Sequence, residues 1–428
     1  MWSAFHLCRC AQPVRAIQSK LIASGSRNGL NSAKLLTRHL YTPLKNGNCN
    51  RLQNRISELL KTNQIFIRLS TSAPKPETSK AVGYWLLGCS GMVFAAVVLG
   101  GVTRLTESGL SMVTWRLLGE KLPTTEEQWQ QEFHKYQQYP EFKYKNRSMT
   151  LSEFKWIWWM EYLHRTWGRC IGVAVVGGAA WFGARGALRR AGMTGRALVY
   201  CALVGAQGLM GWYMVKSGLE DRFRGPTDVP RVSQYRLAAH LGLAFVLYAG
   251  LLGGALRVLR PAGTVYRSVR ELNSITALAH TVKAMAFLTA ISGAFVAGLD
   301  AGLVYNSFPK MGDRWVPPDA LHLQPVMRNF TENPTTVQLD HRILGTTTLL
   351  AATALWRVSR TVPLSPAARG VAVAVGAMAW LQVGLGISTL LCYVPTPLAA
   401  SHQAGSLALL SLAIWLTHEI KLLKYIPK

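Results

Sequence analysis

The sequence predicts an all-α membrane protein of eight transmembrane helices, arranged as two tandem, pseudo-symmetric four-helix bundles. Three observations carry this. Half of the 428 residues are hydrophobic and only 16% are charged, with a positive mean hydropathy. That balance suits a polytopic membrane protein better than a soluble domain. Apolar runs recur near 84–104, 166–184, 197–215, 237–256, 276–298, 342–357, 370–391 and 399–417. Finally, the last four runs repeat the landmarks of the first four.

The chain opens on a basic leader. Residues 1–80 hold 13 Lys/Arg against two acids, Glu58 and Glu77, and Ser, Thr and Asn are plentiful. Basic, hydroxyl-rich and acid-poor composition reads as a mitochondrial transit segment, expected over 1–75. A basic tail that binds RNA or lipid has the same composition. The formal net charge of +27 resembles that of a nucleic-acid binder, but its distribution between the leader and the loops argues against nucleic acid as a partner. The seven cysteines form no CxxC or paired spacing in the region after the leader, so neither a zinc site nor a disulfide framework is expected.

Two of the eight runs are short. Between Arg169 and Arg185 lie 15 uncharged residues, and between Arg342 and Arg357 only 14. At 1.5 Å per residue, 14 residues cover roughly 21 Å of a ~30 Å hydrocarbon layer. These helices must therefore draw in the preceding His-Arg pairs. The loops at 184–197, 257–271 and 357–369, with the tail from 418, hold 14 Lys/Arg against two acids. The loops on the other side (104–165, 216–236 and 300–342) hold 18 Lys/Arg against 16 acids over more than twice the length. Basic loops stay inside, so the N-terminus is expected in the matrix and the opposite loops in the intermembrane space.

The repeat is direct. Gly100, Glu107, Gly109 and Leu110 match Gly293, Asp300, Gly302 and Leu303 at an offset of 193. His164, Arg165 and Gly168 match His341, Arg342 and Gly345 at 177. Gln207 and Gly211 match Gln382 and Gly386 at 175, and His240 matches His402 at 162. Four helices per repeat give both halves the same sense in the membrane. The bundles are expected over 81–260 and 272–425.

His164, His240, His341 and His402 thus recur as two pairs at one depth, the intermembrane-space side. The other histidines do not recur: His6 and His39 lie in the leader, and His134 and His322 in loops. His280 and His418 have Leu87 and Leu256 as counterparts. A lone histidine in a membrane helix most often makes an interhelical hydrogen bond, yet intramembrane ionisable groups mark function by default. Zinc and copper sites draw on three or four N, S or O ligands, and no third ligand recurs here. Two facing imidazoles suit heme iron.

Arg165 and Arg342 are candidate partners for heme propionates, or else snorkel at the interface. Gln207 and Gln382 read as interhelical hydrogen-bond glue. The informative asymmetry between the halves lies beside the histidines: Glu161 stands three residues before His164, and Gln338 three before His341. That spacing shares a helical face, so only the first pair has an ionisable neighbour, and Glu161 is the candidate catalytic residue. The alternative is a solvated residue ahead of the membrane, in the aromatic run 156–162.

Three stretches carry a resemblance: Gly100-Gly-Val-Thr-Arg-Leu-Thr-Glu-Ser-Gly-Leu-Ser-Met112, Glu161-Tyr-Leu-His-Arg165, and Ala297-Gly-Leu-Asp-Ala-Gly-Leu-Val-Tyr-Asn-Ser-Phe-Pro-Lys-Met311. With them, roughly residues 81–425 resemble the mitochondrial heme A synthases. The resemblance implies an inner-membrane enzyme that oxidises the C8 methyl of heme O to the formyl group of heme A, for cytochrome c oxidase. It implies a resident heme b on His341 and His402, and heme O or heme A as substrate and product on His164 and His240, with Glu161 as acidic partner. Two hydroxylations and loss of water from a gem-diol are the implied course. The pathway adds a ferredoxin electron partner and heme O synthase; self-association is left open. Some bacterial members carry a cysteine pair in the first outer loop, which this chain lacks between Cys89 and Cys170. A di-heme b-type electron carrier is the rival reading, but a carrier across the membrane would put its hemes at opposite depths. A transporter would show broken helices and charges at the midplane, and neither is evident.

Overall fold

The computed structural model describes residues 80–220, 231–260 and 270–423, so the expected transit segment lies outside the described residues. Regular structure among these is helical, with one isolated bridge between Met311 and Arg314. In chain order the helices are α1 (Lys80–Leu105), α2 (Glu126–Gln137), α3 (Pro140–Tyr144), α4 (Leu151–Ala184), α5 (Ala187–Arg190) and α6 (Thr194–Gly218). They continue with α7 (Gln234–Leu259), α8 (Arg270–Gly298), α9 (Asn329–Glu332), α10 (Pro334–Ser359), α11 (Pro366–Leu391) and α12 (Thr396–Leu422). Each of the eight apolar runs falls inside a long helix. Six of these, α1, α6, α7, α8, α11 and α12, are long and apolar enough to cross a membrane. Helices α4 and α10 are as long but more polar, because the His-Arg pairs lie inside them.

Local chemistry sets where those two helices begin. Thr150 accepts from the Glu153 backbone while the Glu153 carboxylate accepts from the Thr150 backbone, a reciprocal cap that satisfies two orphan donors of α4. Asn333 caps α10 at the Thr335 amide, with Pro334 opening the helix where its missing N–H costs nothing. Helix α4 therefore starts well before His164 and stands out from the apolar region. Its first turns carry Phe154 and Trp158, which pack with Trp129 and Tyr136 of the outer loop in a buried aromatic cluster.

Helix α1 packs against α4 and α7, and α6 against α4 and α7; α8 packs against α10 and α12, and α11 against α10 and α12. Contacts between the halves run along α1, α7, α8 and α12. One core gathers Val82, Leu86, Val93, Phe245 and Leu251; a second gathers Ile275, Leu355, Val375 and Leu416. In lipid such packing is held by close fit rather than by exclusion of water.

The repeat extends to backbone conformation. Two residues beyond the ends of α1 and α8 stand Glu107 and Asp300, both left-handed at φ 53°, a region non-glycine residues seldom enter. Asp300 then ties the halves together, accepting from Arg104 at 2.8 Å and from Arg231 at 3.1 Å.

Candidate functional site

The four recurring histidines sit in α4 (His164), α7 (His240), α10 (His341) and α12 (His402). Each imidazole lies over a glycine of the adjacent helix. A Cβ on Gly100 would come within 2.9 Å of His164 Cε1, and one on Gly293 within 3.2 Å of His341 Cε1. One on Gly211 would come within 3.6 Å of His240 Cε1, and one on Gly386 within 2.8 Å of His402 Cε1. These are the glycines the repeat matched. Three of the four approaches would be tighter than ordinary carbon–carbon contact, about 3.5–4.0 Å. At Gly100, Gly293 and Gly386 the missing side chain is what lets the imidazole come this close.

In the second half the rings of His341 and His402 are neighbours set edge-on, with centroids 6.2 Å apart and planes at 86°. Ser292, beside Gly293 on α8, lies 2.7 Å from His341 Nδ1. Gln382 of α11 lies 3.1 Å from His402 Nδ1 and donates to the His402 carbonyl at 2.7 Å. Both Nδ1 atoms thus meet a neighbouring side chain, so that Nε2 is the nitrogen each ring could offer to a ligand. In the first half His164 and His240 are close enough to interact electrostatically, but their Nδ1 atoms are buried without a partner. Leu99 stands where Ser292 stands in the repeat. Gln207 keeps only the carbonyl bond, to His240 at 3.2 Å. Gln207 and Gln382 are interhelical glue, as read from the sequence, and the residues they grip are histidines of the two pairs.

Glu161 is 3% exposed, so it is not a solvated residue ahead of the membrane. Its Oε2 accepts from Ser111 Oγ and from the Met112 amide, each at 2.7 Å. Its Oε1 pairs with Arg165 at 2.6 Å. Arg165 also donates to the carbonyls of Met112 and Thr114 at 2.8 and 2.7 Å. The second half holds its equivalent loop the same way with the polarity reversed. Gln338, also 3% exposed, donates to the carbonyls of Ala301 at 2.8 Å and Tyr305 at 3.3 Å. Arg342 bonds the Gln338 carboxamide oxygen and the Tyr305 carbonyl, each at 3.0 Å. Met112 and Tyr305 correspond at the offset of 193.

Arg165 and Arg342 therefore spend their terminal nitrogens on loop carbonyls. Only the Nε of each is buried and unpartnered, and faces no protein acceptor. Neither guanidinium is simply snorkelling; Arg165 has a side chain only 5% exposed.

No group of three or more His, Cys, Asp or Glu able to hold a metal occurs among the described residues. Each pair offers two ligands, and a metal held there needs its other positions filled by a chelate of its own. Two imidazole nitrogens each about 2 Å from a shared metal place the ring centres roughly 6 Å apart, which the His341–His402 separation of 6.2 Å matches. The residues present fit a heme. Elsewhere, His134 is exposed but lies in the last turn of α2 and not in a loop as expected, because the polar stretch Glu126–Gln137 forms a helix capped by Thr125; His322 is an exposed loop residue, His418 bonds the Arg260 carbonyl, and Cys89, Cys170, Cys201 and Cys392 are free.

Sequence reasoning missed Ser111, Ser292 and the meaning of the four glycines. The glycines were visible as repeats, and Ser292 could have been found as a hydroxyl opposite Leu99 beside one of them. Ser111 touches Glu161 across 50 positions, and no spacing rule brings the two together.

A family model described as "Cytochrome oxidase assembly protein" (COX15-CtaA) matches residues 83–414. The chain is 57% identical to "Heme A synthase COX15" of Bos taurus over 355 residues, 83% of this chain and 85% of that protein. It is 41% identical to the Saccharomyces cerevisiae protein of the same name over 373 residues, 81% and 76% of the two chains. It is 44% identical to "Heme A synthase" of Nitrosospira multiformis over 362 residues, 83% and 99% of the two chains.

Proposed function

This chain belongs to the COX15-CtaA family of cytochrome oxidase assembly proteins, and from that premise we propose that it is a heme A synthase. In this reading it is an oxidoreductase that converts the C8 methyl of heme O to the formyl group of heme A. It works in the mitochondrial inner membrane, with the N-terminus in the matrix and the histidine ends of the helices toward the intermembrane space. All eight long helices cross, α4 and α10 included, as two four-helix bundles over 81–260 and 272–425. The packing partners of each helix and the recurrence of Glu107 as Asp300 support that arrangement. Heme O comes from heme O synthase, and electrons are exchanged with a ferredoxin-type partner.

His341 and His402 hold the resident heme b through Nε2, oriented by Ser292 and Gln382. When bound there, heme b supplies one-electron relay. His164 and His240 hold the substrate heme, and their rings, free of an Nδ1 anchor, suit a ligand that must arrive and leave. With heme bound, the unpartnered Nε–H groups of Arg165 and Arg342 would be the ones left to bond its propionates while their Nη groups hold the loops. Glu161 places a buried carboxyl group beside the first pair. It stabilises positive charge developing at the reacting carbon and accepts a proton at Oε2 by exchanging one of its two donors there. The buried setting strengthens both effects, because little water screens the carboxylate.

The observation that carries the assignment is the broken symmetry. Two like pairs of imidazoles differ in having a carboxylate beside the first and a carboxamide beside the second. The test is pigment extraction from the purified protein expressed with a heme O source. Wild type is expected to yield heme A; Glu161→Gln is expected to lower the yield about a hundredfold or more, as for loss of an acid–base group, while heme b persists. Heme b alone from both proteins contradicts the reading.

A further inference from the structure

Trp115 stands where the first imidazole pair meets the outer loop. Its Cη2 lies 3.4 Å from the place of a Cβ on Gly211, and His240 Cε1 lies 3.6 Å from that same point. Indole and imidazole thus converge on one glycine of α6. The backbone around Trp115 is fastened to α4 by three residues spaced four apart, one stripe of the helix. Glu161 holds Ser111 and Met112. Arg165 holds Thr114 and lies over the indole at 4.8 Å. Arg169 donates to the carbonyls of Arg116 and Leu117 at 2.8 and 3.1 Å.

The outward side of this wall is apolar. Helix α6, whose seam with α4 lies beneath the indole, buries almost none of its apolar stretch. Leu117 and Leu118 are 84% and 96% exposed. The corresponding place in the second half, 193 positions on, is Phe308, which is 43% exposed, whereas Trp115 is half-buried. The two pairs therefore differ in their walls as well as in Glu161.

We propose that Trp115 is a specificity-determining wall of the first heme site: its indole packs on the porphyrin bound there, and with Leu117 and Leu118 it selects a tetrapyrrole carrying a long apolar chain. Heme O carries an isoprenoid chain that heme b lacks, so the chain would lie along the exposed α4–α6 seam while the ring is held between His164 and His240. The Glu161–Arg165–Arg169 stripe sets the indole's position. This rests on the first pair being the substrate site.

The test uses full-length protein carrying its b-type heme in lipid nanodiscs, titrated optically with heme O and, as the chain-less probe, with heme b. Trp115→Ala is expected to weaken heme O binding about tenfold, the size of one lost aromatic contact, and to narrow the preference for heme O over heme b. KM should rise by a similar factor with kcat little changed, and the resident b-type absorbance should stay. Unchanged heme O affinity and preference overturn the proposal. Loss of the resident absorbance with an intact heme O titration overturns it differently, by showing that the first pair holds the resident heme. Leu118→Asp, fully exposed and so safe for folding, gives an independent reading. It should lower heme O affinity and spare heme b, and an unaltered preference contradicts the selection.

Discussion

Glu161 and Gln338 occupy one place in two repeats and hold the same loop, the first by accepting from the Met112 amide and the second by donating to the Tyr305 carbonyl. The second half can latch with a carboxamide because its loop presents carbonyls, whereas every partner of Glu161 is a donor. Glu161→Gln therefore turns an NH2 group toward Arg165 or toward the Met112 amide and loses one of those bonds. Glu161→Ala leaves the Arg165 charge, the Ser111 hydroxyl and the Met112 amide buried without their acceptor. Removing one partner of a buried pair costs about 3–5 kcal/mol. Thermal unfolding in detergent should accordingly rank wild type above Glu161→Gln, with Glu161→Ala lowest; wild-type midpoints for both variants would show that the latch carries no stability. A second buried carboxyl, Glu141, accepts from the Tyr136 hydroxyl at 3.1 Å. Burial pushes its pKa up from 4.5 to about 8. Between those values the folded protein keeps a proton that the unfolded chain has released, so stability falls as pH rises across the window and levels off above it. Glu141→Gln should flatten that slope, and a midpoint profile identical to wild type contradicts the assignment.

At the scale of elements, the sequence was most readable where the physics is periodic. Eight apolar runs fall inside eight long helices, and the shortness of two runs correctly drew His164 and His341 into helices that begin before them. The starts themselves were set by caps at Thr150 and Asn333, outside the apolar runs. Helices α2 and α3 were unread, since they are short, polar and held by the aromatic cluster around Trp129 and Tyr136 rather than by lipid. The glycine seats were read only as recurrences, because their purpose depends on a ring from another helix. Gly386→Ala would place a methyl 2.8 Å from His402 Cε1, whereas Gly384 has open space around it. Gly386→Ala should therefore displace the imidazole and weaken retention of b-type heme by about tenfold or more, as for loss of ligand orientation. Gly384→Ala is the control on the same helix and should retain heme as wild type does. Equal retention by both variants, measured as heme per protein after purification, would mean that the seat does not position the ring.

For the whole molecule, duplication built the frame and local departures from it assigned the work. The histidines, their glycines, the left-handed residues that follow α1 and α8, and the arginines that hold the loops all recur. Three departures lie at the two pairs: Glu161 against Gln338, Leu99 against Ser292, and Trp115 against Phe308. The first was legible because both residues stand three positions from their histidine. The others were not, since contacts such as Ser292 with His341 join residues 49 apart. Read together they support the proposal that the first pair is the reactive site and the second, better anchored pair holds the resident heme. The most direct measurement is the b-type absorbance of four purified single variants. His341→Ala and His402→Ala are expected to lose it, while His164→Ala and His240→Ala keep it and fail to form heme A. Survival of that absorbance in the first two variants, or its loss in the second two, would contradict the division of labour.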